Sequence, residues 1–184
     1  MKVIKIGKQT WTAENLNVTK FRNGDLIPEI KDGKEWKNAT GPGYCYINNN
    51  PENGILYNWH AVNDSRGLAM EGYHIPSKEE FETLIQELGE GNCFKLKSKL
   101  SKHWNMVGIE NGTDEFGFGS IAVGLREAGW SNGEFMNEKE YTGYWSSDTY
   151  NDKLASFMLL GCSSFAEVQD SKMNYGYSVR ILKD

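Results

Sequence analysis

Gly112-Thr113-Asp114-Glu115-Phe116-Gly117-Phe118, Gly143-Tyr144-Trp145-Ser146-Ser147 and Gly176-Tyr177-Ser178-Val179-Arg180 set glycine beside large aromatic residues three times in the second half of the chain. Glycine permits tight turns and close backbone approach, and the rings pack short, half-buried strands. Neither property serves a nucleophile or a metal cage. The three strings therefore point to an architecture and to no reaction.

Working outward from them, the rest of that half reads as short strands divided by Gly, Asn and Asp. The candidates are Ser120-Val123, Tyr144-Ser147, Ala155-Leu160, Phe165-Val168 and Tyr177-Ile181. At the opposite end, Val3-Ile6 and Gln9-Ala13 flank Gly7-Lys8 and predict a hairpin. Residues 15 to 54 are mostly turn formers, with Tyr44-Ile47 as the strand candidate among them. Ile55 to Val62 carries Ile55, Trp59 and Val62 at helical spacing and predicts a first helix. The strongest local signal is Ser77 to Gly89. Ser77 and Glu80 make a capping box, Phe81, Leu84, Ile85 and Leu88 make an apolar stripe, and Gly89 is the stop. Phe94 to Leu100 reads as a short helix or turn. Two main helices early and a twisted antiparallel sheet with long loops late define an α+β class, and no linker divides residues 1 to 184, so one domain is expected.

Composition narrows the function. A net charge of -5 disfavours nucleic acid, which selects a basic surface. The densest cationic run, Lys95-Leu96-Lys97-Ser98-Lys99 with Lys102 and His103, reads as a solvated helix face. No stretch approaches the roughly 18 apolar residues of a membrane-spanning helix, so no membrane insertion is expected. Met1-Lys2-Val3-Ile4-Lys5-Ile6 followed by Gly7 lacks the apolar stretch of a signal peptide. Three cysteines, Cys45, Cys93 and Cys162, without a Cys-x-x-Cys spacing, read as isolated thiols buried as small hydrophobes, with one bridge plus a free thiol as the alternative. Asn-x-Ser/Thr triplets begin at Asn17, Asn38, Asn63 and Asn111.

Six ordered blocks carry a resemblance. They are Ile6-Trp11 with Ala13-Asn17, Gly54-Trp59, Tyr73-His74-Ile75-Pro76-Ser77, Gly112-Phe118, Gly143-Ser147 and Gly176-Arg180. In this order they resemble the Fibrobacter succinogenes major paralogous domain over nearly the whole chain, from about Lys5 to Asp184. The resemblance implies a C-type lectin-like fold and a bacterial module, often at the cell surface, of undefined biochemical role. His74-Ile75-Pro76-Ser77 and the acidic helix after it also resemble a block of formylglycine-generating enzymes. That oxidase would need a pair of late cysteines, and only Cys162 lies in that half.

Catalytic patterns are otherwise weak. His60, His74 and His103 are scattered without a Gly-x-Ser-x-Gly elbow, and His74 reads as a hydrogen-bonded structural histidine. Gly117-Phe118-Gly119 lacks the third glycine of a dinucleotide loop. No cofactor is expected. Calcium is the alternative, with Asp114, Glu115, Asp148 and Asp152 as oxygen donors, although the Glu-Pro-Asn or Gln-Pro-Asp loop of sugar-binding C-type lectins does not occur. What remains is recognition of a glycan or protein by loops near the late strands, Glu127-Tyr141, Tyr150-Lys153 and Val168-Tyr175. The candidate ligand-binding residues there are Trp130, Asn132, Tyr141, Tyr150, Asn151, Asp152, Asp170 and Asn174, with Asn137 beside them. Flat rings stack on sugars or anchor protein contacts, and amides and carboxylates bond hydroxyls. Trp11, Trp59, Trp145 and Tyr177 read as core. A structural or assembly subunit of a virion or secretion apparatus, and an enzyme of unrecognised type, are the alternative expectations.

Overall fold

The computed structural model describes residues 2–105 and 112–184; Asn111, which begins one of the triplets, lies outside them. The chain begins with the expected hairpin, β1 (Val3–Ile6) and β2 (Gln9–Thr12), turned at Gly7. The region read as turns contains a one-turn helix, α1 (Gly33–Lys37), capped by the Asp32 carboxylate, which accepts from Glu35 N at 2.9 Å. Then come β3 (Tyr44–Tyr46), β4 (Ile55–Tyr57) and a second one-turn helix, α2 (Trp59–Val62). The helix expected over Ile55–Val62 is thus half strand. Ile55, Leu56 and Tyr57 are all buried and pair with β3, and Asn58 starts the helix by accepting from Ala61 N. A fully buried apolar run has no exposed face, so periodicity cannot separate strand from helix.

After β5 (Tyr73–His74), the capping box delivers α3 (Lys78–Leu88) as read. Among the described residues it is one long helix, preceded by two short ones, where two main helices were expected. Ser77 Oγ accepts from Glu80 N at 3.1 Å and Glu80 Oε2 accepts from Ser77 N at 2.8 Å. Phe81, Leu84 and Leu88 are buried against Trp11, Met158 and Leu160 in one core cluster. Glu80 also meets His74, whose Nε2 lies 2.9 Å from Glu80 Oε1 while Nδ1 lies 2.7 Å from Asp184 Oδ1, so that both nitrogens donate when the ring is protonated. Burial alone would lower the His74 pKa, but the Asp184 and Glu80 carboxylates raise it above its usual value. The stabilisation is therefore fully present below about pH 6.5 and is lost as pH rises through the elevated value. Thermal melts at about pH 5.5 and about pH 8 should show a larger loss in the wild type than in His74→Gln; equal losses would rule out this coupling.

The stretch read as a short helix or turn at 94–100 opens with a 3-10 turn, Cys93–Leu96, and the cationic run that overlaps it is not a solvated helix face. Lys97 is 0% exposed. Its ammonium donates to the carbonyls of Gly161 and Ser163 and lies 4.8 Å from the ring centroids of both Phe94 and Trp104. Carbonyl dipoles and ring faces supply the counter-charge that water would otherwise provide.

The second half holds β6 (Leu125–Arg126), β7 (Phe135–Met136), β8 (Tyr141–Thr149), β9 (Leu154–Gly161), β10 (Ala166–Lys172) and β11 (Leu182–Lys183). Strands β8, β9 and β10 form an antiparallel meander, β6 pairs with β7, and β11 lies between β2 and β5. Ser120–Val123 is not a strand; Ser120 makes a single bridge to Lys97. Tyr177 and Ser178 likewise make single bridges, to Tyr57 and Tyr144, so residues 176–179 run between β4 and β8 without forming a named strand. The architecture is α+β with antiparallel sheets. The glycine-aromatic strings find their reason at this seam: a Cβ on Gly143 would strike the Tyr177 ring, which packs edge-on to Trp145 at 4.7 Å. Trp145 donates its indole N–H to Tyr57 O and Trp59 donates to Ser146 O, and both are buried with Trp11 and Tyr177 as expected. Among the described residues no helix is long and apolar enough to cross a membrane.

Candidate functional site

The loop between β6 and β7 is built around two buried charges. Arg126 at its start donates Nε to Gly133 O at 3.0 Å and its two terminal nitrogens to Ile30 O and Lys31 O, each at 2.6 Å. The guanidinium also packs over Trp36 and Phe135. Next to it, Glu127 is 2% exposed. Its Oε1 accepts from Gly129 N, from Trp130 N at 2.8 Å and from the Tyr175 hydroxyl at 2.7 Å; its Oε2 accepts from Ser131 N at 2.8 Å and Ser131 Oγ at 2.6 Å. Burial pushes the carboxyl pKa up, yet the Ser131, Tyr175 and backbone donors win and hold it at about 2. The loop backbone is thereby fixed from inside. Its outer side presents Trp130 with 75% of its surface exposed.

Asn132 is exposed, and its carbonyl lies against Gly33 at the start of α1; a Cβ on Gly33 or Gly133 would collide with the facing backbone. At the other end of α1, Asn174 donates its amide to Lys37 O. The turn after β10 is thus tied to α1 and, through Tyr175, to Glu127. The expected loop Val168–Tyr175 is strand as far as Lys172, so only its last residues form a turn. In the β8–β9 hairpin, Asn151 Oδ1 accepts from Lys153 N at 2.9 Å and Leu154 N at 3.0 Å, which leaves Tyr150 67% exposed and Asp152 in water.

These elements frame two open pockets that share Leu154 and Lys172. One, of about 450 Å³, lies between Ala39, His60, Asn151–Leu154 and Lys172–Asn174. The other, of about 340 Å³, is walled by Phe157, Gln169–Lys172, Tyr175 and Tyr177. Asn151, Asp152 and Asn174 therefore meet in one pocket and Asp170 lines the other, its carboxylate accepting at 2.7 Å from Ser156 Oγ, which lines neither. Trp130 is joined to this region through Gly129, beside Tyr175 and Lys172. Tyr141 is half-buried against the core, and burial raises its phenol pKa; neither it nor Asn137 lines these pockets. Sequence reasoning missed His60, Lys172, Tyr175 and Glu127. The one available signal was Glu127 with Ser131 four residues on, flanking an aromatic that has no apolar stripe of its own.

Other chemistry is committed to structure. Asp114 accepts from Gly119 N at 2.7 Å, and Asp148 accepts from Lys78 N at 2.5 Å at the head of α3. Among the described residues no three His, Cys, Asp or Glu side chains gather where they could hold a metal. The three thiols are free, and burial pushes Cys45 up to about 11 and raises Cys93, which keeps both protonated; Cys162 is half-buried. His103 Nδ1 meets Ser98 Oγ at 2.9 Å. A hydroxyl and an imidazole alone lack the group that orients the base in a triad.

A sequence model of the Fibrobacter succinogenes major domain matches residues 4–183 of the chain. No curated protein and no solved structure matches it.

Proposed function

Because the chain belongs to the Fibrobacter succinogenes major domain family, we propose that it is a non-catalytic recognition module of C-type lectin-like fold, binding glycan at the surface of Trp130, Tyr150 and the two pockets. The observation that carries this reading is Trp130. Exposing an indole forgoes roughly 1.5–3 kcal/mol of burial, and here a buried, five-fold hydrogen-bonded carboxylate fixes the backbone that holds it out. Rigid aromatic presentation on a loop is the arrangement from which binding energy is drawn without a large ordering cost. The lectin-like reading is supported by the chain ends, whose strands β1, β2 and β11 meet in one sheet.

The test is an array of neutral and acidic bacterial and plant oligosaccharides, read with the wild type and Trp130→Ala. Trp130→Ala should weaken binding about 30-fold, as hot-spot aromatics do, while its melting point stays within about 1 °C because the ring packs on no core. A chelator should leave binding unchanged. Array silence, or equal binding by the variant, would overturn the reading. A second reading, an assembly subunit, draws on Leu26 and Phe165, exposed apolar side chains outside these pockets; light scattering that shows a defined oligomer would favour it.

A further inference from the structure

We propose that Cys93 and Cys162 are a redox pair: hydrogen peroxide closes them into a disulfide that pins the corner between β9 and β10 to the 3-10 turn after α3, while Cys45 stays a thiol. This pairing is independent of the glycan reading. The corner itself brings the two residues together. The Cys93 thiol donates to Ser163 O at 3.3 Å, and Ser163 follows Cys162 directly, one Cα step of about 3.8 Å away. From the end of the same turn, Lys97 donates its ammonium to Ser163 O at 2.6 Å and to Gly161 O, so it grips the residues on both sides of Cys162. A disulfide needs its Cα atoms roughly 4.4–6.8 Å apart. The neighbours of Cys162 are already fastened to the turn that carries Cys93.

Charge and access select the same two residues. The attacking form of cysteine is the thiolate, and a fixed cation beside it favours that form. Lys97 is fully buried; burial lowers its pKa, and the Cys93 and Cys162 thiols both work against that lowering, so the ammonium stands near both sulfurs. Cys162 is half-buried and meets a small oxidant first. Cys93 lines a pocket of about 250 Å³ between the end of α3 and residues 164–166. Cys45 is fully buried in another core cluster, with Trp36 and Leu56.

The chemistry takes two displacements. The Cys162 thiolate attacks the peroxide: an S–O bond forms, the O–O bond breaks, and the leaving hydroxide is protonated to water. The Cys93 sulfur then attacks the sulfenic sulfur, the S–S bond forms, the S–O bond breaks, and the departing hydroxide takes the Cys93 proton. Two thiols and one hydrogen peroxide become one disulfide and two waters, with two electrons passing from sulfur to oxygen.

The experiment treats the whole reduced chain, in its native fold, with a small excess of hydrogen peroxide. Remaining thiols are then blocked with iodoacetamide in denaturant, and peptides are mapped by mass without reduction. The expected product is a linked pair of peptides carrying Cys93 and Cys162, lighter than its parts by two hydrogens and split by dithiothreitol, with Cys45 alkylated. Oxidation should also raise the melting point by about 5–10 °C, because the bridge closes a long loop. The rise should appear in the wild type and in Cys45→Ser, and should be absent from Cys93→Ser and Cys162→Ser. Three alkylated cysteines, Cys162 carried on to sulfinic or sulfonic acid without a link, a bridge through Cys45, or a link between two chains alone would overturn the proposal.

Discussion

Replacing Glu127 by alanine should cost the protein about 3 kcal/mol at neutral pH and lower its melting point by about 10 °C. The magnitude follows from the carboxyl held at about 2 against an ordinary value of 4.5, because each unit is worth about 1.4 kcal/mol. The side chain is 2% exposed, so solvent screening takes little of it. The sign fixes the pH window. A depressed pKa contributes stability that is complete above about pH 4.5 and is lost as pH falls toward about 2. Urea melts should therefore show the wild type losing about 3 kcal/mol across that window beyond the loss seen in Glu127→Gln. Parallel curves would show that the carboxylate is not held as described. Glu127→Ala should also weaken any glycan bound by wild type, because Trp130 N, Ser131 N and the Tyr175 hydroxyl lose a common acceptor and the loop loses its internal support.

The second large effect is at Lys97. Lys97→Ala removes a fully buried stem, two ring contacts and the donor shared by the Gly161 and Ser163 carbonyls at the β9–β10 corner. Cavity formation and two orphaned acceptors together should cost about 3–5 kcal/mol. Lys97→Met, which restores most of the volume, should recover the packing share and leave the carbonyls unpaired. Lys99→Ala, two residues on and exposed, should change stability by less than about 0.5 kcal/mol. Denaturant melts of the three variants check this; equal effects at 97 and 99 would contradict a buried ammonium.

The same pair shows what could be read from sequence. The capping box of Ser77 and Glu80 is a local device, complete within four residues, and α3 follows it to the residue. The glycine-aromatic strings were legible because a close approach such as Gly143 on Tyr177 demands glycine whatever lies around it. Lys97 was not legible. Among Lys95, Lys99 and Lys102 it looks solvated, and what buries it is a strand corner 64 to 66 residues later. Helix α1 was missed because five residues with one buried side chain, Trp36, carry no periodicity.

Within the site, the exposed residues were the readable ones. Trp130, Tyr150, Asn151 and Asp152 lie on turns, and a turn advertises itself through Asn, Asp and Gly. The groups that organise them were hidden because their meaning is in distant partners. Glu127 becomes a loop anchor only when Tyr175 reaches it from 48 residues away. Lys172 becomes a shared wall only when β10 aligns it with Leu154. His60 was one of three scattered histidines until α2 set it beside the β8–β9 hairpin.

The central claim is that ligand is recognised at this one surface. Its most direct test is backbone and indole ¹H–¹⁵N shift mapping during titration with the oligosaccharide that binds best on the array. Shifts are expected at residues 127–133, 150–157 and 168–177 and at Ala39 and His60, with the Trp130 indole moving most. Shifts centred elsewhere, for instance at the groove of Ile47, Asn53 and Ile121, with Trp130 unmoved, would contradict it.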